Sequence, residues 1–124
     1  MQLLQDANPA GPVIRRVEDG AIELDQRRLE TSFIVHPAGV VEDWPVASCE
    51  SLVPADLEPA LALAPEVVLL GSGSSQRFPS PAVMAACLTR GVGIEVMDNA
   101  AAARTYNVLA AEGRRVVAAF VLPG

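Results

Sequence analysis

The sequence is poor in several things that would announce a chemistry. Aromatic residues make up only 4% of it. The core must therefore come from Val, Leu, Ile and Ala, whose small faces let helix and strand approach closely. There is a single histidine, His36. A Ser–His–Asp triad would have to use it, yet it precedes Pro37 at a predicted strand end, and no Gly-x-Ser-x-Gly elbow is present. The two cysteines, Cys49 and Cys87, show no CxxC spacing. With one histidine they fall short of the roughly four ligands a zinc site needs, so neither metal nor cofactor is expected. In a reducing compartment both are expected to stay unpaired. Cys87, between Ala86 and Leu88, reads as a small core residue. Cys49 lies in a predicted loop and reads as a thiol open to reaction but without an adjacent base.

Long hydrophobic runs are also missing. Stretches such as Val116 to Leu122 are far too short to span a bilayer. Met1 to Gly11 carries Asp6, Asn8 and Pro9 and lacks the pattern of a signal or transit peptide. The expectation is a cytoplasmic protein without membrane insertion. Basic charge is scarce, with 9 basic against 15 acidic residues and a net charge of −6. Such a chain repels a polyanion overall, so nucleic acid is not an expected partner. The doublets Arg15-Arg16, Arg27-Arg28 and Arg114-Arg115 read as solvated faces.

What is present is one domain's worth of chain, 124 residues, 51% of them hydrophobic. The first third reads as β: strands over Val13 to Val17, around Ile22 and Leu24, and over Thr31 to Val35, with Val40 and Val41 continuing past Pro37 and Gly39. Asp19-Gly20 is a hairpin signal. A short helix is predicted over Pro54 to Leu63, ended by Pro65. A regular alternation follows. Val67 to Leu70 reads as a strand buried on both faces, and Gly71 to Ser75 as a loop. A helix starts at Ser80-Pro81 and runs to about Arg90, with Gly91 ending it. Val92 to Met97 is a strand. Asp98 or Asn99 caps an Ala-rich helix with Ala102, Thr105, Tyr106 and Leu109 on one face and Arg104, Asn107 and Ala111 roughly opposite. Gly113 ends it, and Arg115 to Leu122 is the last strand. Each crossover carries a helix, so the three late strands are expected to be parallel, in an α/β fold with antiparallel N-terminal strands.

Gly71-Ser72-Gly73, Glu95-Val96-Met97-Asp98, Ala103-Arg104-Thr105-Tyr106-Asn107 and Glu112-Gly113-Arg114 occur in that order. This succession resembles the complex I assembly factor three-like family, and the resemblance spans nearly the whole chain. Two positions depart from the family pattern. Ser72 stands in its usual Gly-Thr-Gly and Asn99 in its usual Met-Asp-Thr, and both keep a polar side chain. The resemblance implies a three-layer β/β/α fold with a mixed sheet. It implies no catalytic residues, and it points to an accessory protein that binds another protein.

As chemistry, two loops are expected at one sheet edge, at the carboxyl ends of parallel strands where open α/β sheets bind ligands. Gly71, Ser72, Gly73, Ser74 and Arg77 belong to the first, Asp98 and Asn99 to the second. Two helix N-termini and the Arg77 guanidinium would suit an anion there. The loop matches no P-loop or dinucleotide motif, because it has no Gly-Lys-Ser/Thr and Gln76 stands where a third glycine would be. The alternative is that Gly71 and Gly73 only permit a tight turn and a close backbone crossing. Glu95 interrupts an apolar strand. On a central strand it needs a partner, with Arg77, Arg104 and Arg114 the candidates, and it reads as a structural ion pair before a functional acid. The Tyr106 hydroxyl is expected to reach a polar group near the sheet, and the Asn107 amide to cap a loop. Trp44, beside Pro45, is the candidate exposed contact for a partner.

Overall fold

The structure, a computed structural model, describes residues 11–123. The expectation that Met1 to Gly11 lacks a signal or transit pattern falls, up to position 10, outside the described residues. Asp19-Gly20 folds β1 (Arg16–Glu18) back onto β2 (Ala21–Glu23), and β3 (Arg28–Leu29) adds antiparallel to β2. The strand expected from Val13 begins at Arg16 instead, because the backbone before it is claimed by side chains. Val13 N–H donates to Asp25, and Ile14 bonds the Asn107 amide.

β4 (Thr31–His36) and β5 (Gly39–Val41) form the next hairpin. The predicted helix over 54–63 is a 3₁₀ turn, Pro54–Leu57, followed by one α turn, α1 (Glu58–Leu61). Pro59 has no N–H to continue the ladder, and Ala64, at φ 54°, turns the chain out. Then come β6 (Val67–Gly71), α2 (Pro81–Leu88), β7 (Gly93–Met97), α3 (Asn99–Ala111) and β8 (Val116–Pro123).

The large sheet has the order β5-β4-β8-β6-β7. β6 is parallel to both β7 and β8, and β8 is antiparallel to β4. The last strand thus lies at the centre, covered on both faces, and its Val-Val-Ala-Ala-Phe-Val-Leu run has no polar residue. The path from β6 through α2 steps outward to β7; the path through α3 steps back across β6. Crossovers of one hand with opposite steps place their helices on opposite faces. Accordingly Val83 and Cys87 of α2 pack with Leu57, Leu61, Val68 and Leu70. Ala102, Tyr106 and Ala110 of α3 pack on the other face with Leu69 and Phe120, beside Ile22 and Leu29 of the small sheet. The layers are therefore the small sheet with α3, the large sheet, and α1 with α2, a mixed α/β fold.

Two expectations are corrected. β7 is an edge strand and Glu95 is exposed on it, because β8 inserts on the inner side of β6. Arg77 and Arg114 pair instead with Glu50 and Glu66. Trp44 is 3% exposed and belongs to the core. Its indole N–H donates to the Asp56 carbonyl at 2.8 Å, which satisfies the one polar atom of a buried ring. Among the described residues no helix is long and apolar enough to cross a membrane.

Candidate functional site

The loops after β6 and β7 depart toward opposite faces, so the gap between these neighbouring strands is a switch point of the sheet. The chain fills much of it with its own polar groups. Asn99, 2% exposed, accepts from the Gly73 N–H and donates to the Val121 carbonyl, both at 3.1 Å. Gly71 makes room for this. A Cβ there would lie 2.4 Å from Asn99 Oδ1 and 2.8 Å from a Phe120 ring carbon. Gly73, at φ 120°, turns the loop in a region that side chains avoid.

Ser72 is buried. Its hydroxyl accepts from the Arg77 N–H at 3.0 Å and reaches the Ser75 and Met97 carbonyls at 2.9 and 3.2 Å. Gln76 bonds the Val96 carbonyl on the open edge of β7, and the Cys49 thiol donates to the Arg77 carbonyl. The Asp98 carboxylate takes the N–H of Ala101 in the first turn of α3. The loop is thus stapled from within, and its glycines serve the side chain of Asn99.

The Arg77 guanidinium bonds Glu50 at 2.7 Å, and both side chains are more than half exposed. Arg77 also holds the Glu50 carboxyl below the usual carboxylate range. Outside the staple, an open cavity of about 360 Å³ lies between this loop and the 47–50 segment, reaching Ser72, Gly73, Ser74 and Arg77. Cys49 is buried rather than open to reaction, and burial pushes its thiol up, as it does that of Cys87. His36 stands far from this edge. Val35 lies opposite Ala118 and Gly71 opposite Phe120, so His36 and Ser72 are separated by four strand positions, about 13 Å. Among the described residues the Ser72 hydroxyl and the Cys49 thiol bond only backbone groups, and neither is hydrogen-bonded to a histidine or carboxylate that would make it a nucleophile.

On α3, the Asn107 amide donates to the Ile14 carbonyl at 2.9 Å and accepts its N–H at 3.1 Å, tying the helix to the segment that leads into β1. Thr105 reaches the Met97 sulfur at 3.6 Å, and Arg104 is exposed. Tyr106 departs from expectation. It is fully buried, and its hydroxyl has no hydrogen-bond partner among the described residues. Burial raises its pKa well above the usual phenol range.

One feature went unread in the sequence. α2 carries no charged residue, and it is apolar on its outward side as well as toward the sheet. Phe78 and Leu88 are 63% and 60% exposed, and Pro81, Ala82 and Ala85 are exposed between them. The signal was present, since Ser80 is the only polar side chain from Phe78 to Leu88.

The two sheets, the central antiparallel-then-parallel strand order and helices on both faces define a fold shared with the Mth938-like domains. A solved protein of Bordetella pertussis, described as such a domain, is 35% identical and superposes with a TM-score of 0.82, covering 100% of this chain and 94% of that one. A solved protein of Xanthomonas campestris is 49% identical with a TM-score of 0.85, at the same coverage of both chains. The chain belongs to the DUF498/DUF598 family of proteins of unknown function, whose model matches residues 14–121. Among its relatives are NADH dehydrogenase [ubiquinone] 1 alpha subcomplex assembly factor 3 of Bos taurus and of Mus musculus. Each is 29% identical over 125 residues, which are 99% of this chain and 67% of the relative.

Proposed function

We propose that the protein is a non-catalytic accessory factor, a single cytoplasmic domain that acts by binding another protein. The observation that carries this is α2. A helix apolar all round is normally buried, and here the side carrying Pro81, Ala82, Ala85 and Leu88 faces outward, with Phe78 exposed in the loop just before it. Contiguous exposed apolar surface on a small domain marks an interaction site. The relatives named as assembly factors support the same reading. A photo-crosslinking residue at Ala85 tests it in the source cells, with the same residue at Arg104 on α3 as the control. The expected result is a discrete adduct from position 85 alone that Leu88→Glu removes. Equal adducts from both positions, or none from 85, would end this reading.

A second reading keeps the edge at Gly71, Ser72, Gly73, Ser74, Arg77, Asp98 and Asn99 as a small-anion site, favoured by the cavity of about 360 Å³ beside the loop. Its ligand would have to compete with Glu50 for the Arg77 guanidinium. Saturable amide shifts at 72–77 on adding phosphate or a small carboxylate, lost in Arg77→Gln, are the expected sign. Their absence at millimolar ligand leaves α2 as the working surface.

A further inference from the structure

A second cavity, of about 350 Å³, opens at the other edge of the sheet. It sits between the β4–β5 turn, the connection from α1 to β6, and the junction of α3 with β8. Its walls are largely apolar and include Pro37, Leu63, Pro65, Ala110 and Val116. This is the size and character of a small-molecule pocket, in which a few polar groups set orientation. The polar groups here are His36, Arg114 and Arg115.

These three are not equally engaged. Arg114 is taken up by Glu66, through Nε at 2.9 Å and Nη2 at 2.8 Å. Arg115 differs from the other arginines of its kind. Arg15, Arg16, Arg27, Arg28 and Arg114 each bond a carboxylate. The Arg115 side chain instead donates its Nε to the carbonyl of Ala64 at 3.2 Å. That contact fixes the plane of the guanidinium, while its two terminal nitrogens carry no hydrogen bond among the described residues. The His36 imidazole likewise has no hydrogen-bond partner among the described residues, and burial holds it below its usual pKa. The nearby carbonyls at the end of α3 are already capped, Ala110 by the Gly113 N–H and Leu109 by the Arg114 N–H. The Glu66 carboxylate is close enough to feel the Arg115 charge, but its two oxygens take the Arg114 guanidinium and the Arg115 backbone N–H. Ala64 itself is held at φ 54° beside the pocket, a conformation that costs a non-glycine residue and persists where its surroundings enforce it.

We infer that this cavity binds a carboxylate carrying an apolar body, the carboxylate on the Arg115 fork and beside His36, the body against Leu63, Pro65 and Ala110. A planar guanidinium fixed at one nitrogen presents a ready bidentate donor, the geometry that suits a carboxylate. The same chemistry is offered by a free small acid and by the C-terminal residue of a peptide.

Amide spectra of the labelled protein are recorded during titration with octanoate and 1-octanol. Parallel titrations use N-acetyl-alanyl-leucine and its C-terminal amide. The expected result is saturable shifts at Leu63 and Gly113 to Val116 with a carboxylate and not with its uncharged counterpart. Arg115→Gln should weaken binding about tenfold, the loss typical of a charge-assisted hydrogen bond. Ala38→Glu, at an exposed turn position lining the cavity, leaves the Arg115–Ala64 contact alone and should weaken carboxylate binding at least as much, which separates lost binding from altered folding. Binding of octanoate alone assigns a free acid, and binding of the leucine acid assigns a peptide terminus. Equal binding of octanol, shifts indifferent to both substitutions, or no saturable shift with either carboxylate would overturn the inference.

Discussion

α2 and α3 are successive crossover helices on the same sheet, yet they are built to opposite plans. α3 has a side-chain cap at Asp98, and two asparagines, Asn99 and Asn107, turn inward to bond backbone that is remote in sequence. α2 has no side-chain cap and no charged residue, and large apolar groups are exposed at its last residue, Leu88, and in the loop before it, at Phe78. The polar residues of α3 hold the layers together, whereas the apolar residues of α2 exceed what its own packing uses. Polarity inside and apolarity outside are each costly in isolation. The first is compensated within the fold, and the second has no compensation there.

The largest expected break in this contrast is Asn99→Ala. It strands the buried Val121 carbonyl and the half-buried Gly73 N–H, and should cost about 3 kcal/mol in urea unfolding. A loss under a third of that would show the amide to be dispensable. Gly71→Ala forces a methyl against the same amide and the Phe120 ring, and should cost about 2 kcal/mol; the Asn99→Ala background should relieve part of that penalty, because the two share one space. Tyr106→Phe has the opposite sign. Removing a buried hydroxyl without a partner should stabilise by about 1 kcal/mol, and a destabilised variant would mean the hydroxyl is bonded. Smallest of all, Leu88→Ser on α2 should leave stability within about 0.5 kcal/mol of the parent while still removing adducts from Ala85. A large unfolding effect would place Leu88 among the packing residues instead.

Much of the fold was legible because local signals agreed with one another. Asp19-Gly20 gave the first hairpin, and Ser80-Pro81, Gly91, Asp98 and Gly113 bracketed the two helices. The apolar runs at 67–70 and 116–122 identified strands covered on both sides. Strand order was not legible, since it depends on which side of β6 the returning chain chooses. That choice decides Glu95, which would be buried on a central strand and is exposed on an edge. Trp44 misled for a related reason. Flanked by Pro45 in a loop, it reads as surface, but the 42–53 segment packs over the sheet and takes the indole inward. At the switch point the glycines were visible, whereas the reason for Gly71, the amide of a residue twenty-eight positions later, is a tertiary fact with no local trace. The cavity at Arg115 left no sequence signal either, because all the arginine doublets look alike until their partners are known.

The central place of β8 governs how this protein can come into being on a ribosome. Among the described residues it is the last strand to be synthesised, yet it alone joins the β4–β5 hairpin to the β6–β7 pair. Until Val116 to Pro123 has left the exit tunnel, the earlier strands form two fragments with open edges. Such unpaired edges are the surfaces on which strands add indiscriminately. Closure of the sheet therefore waits for β8, and a nascent chain stalled just short of Val116 would be the species most in need of a chaperone.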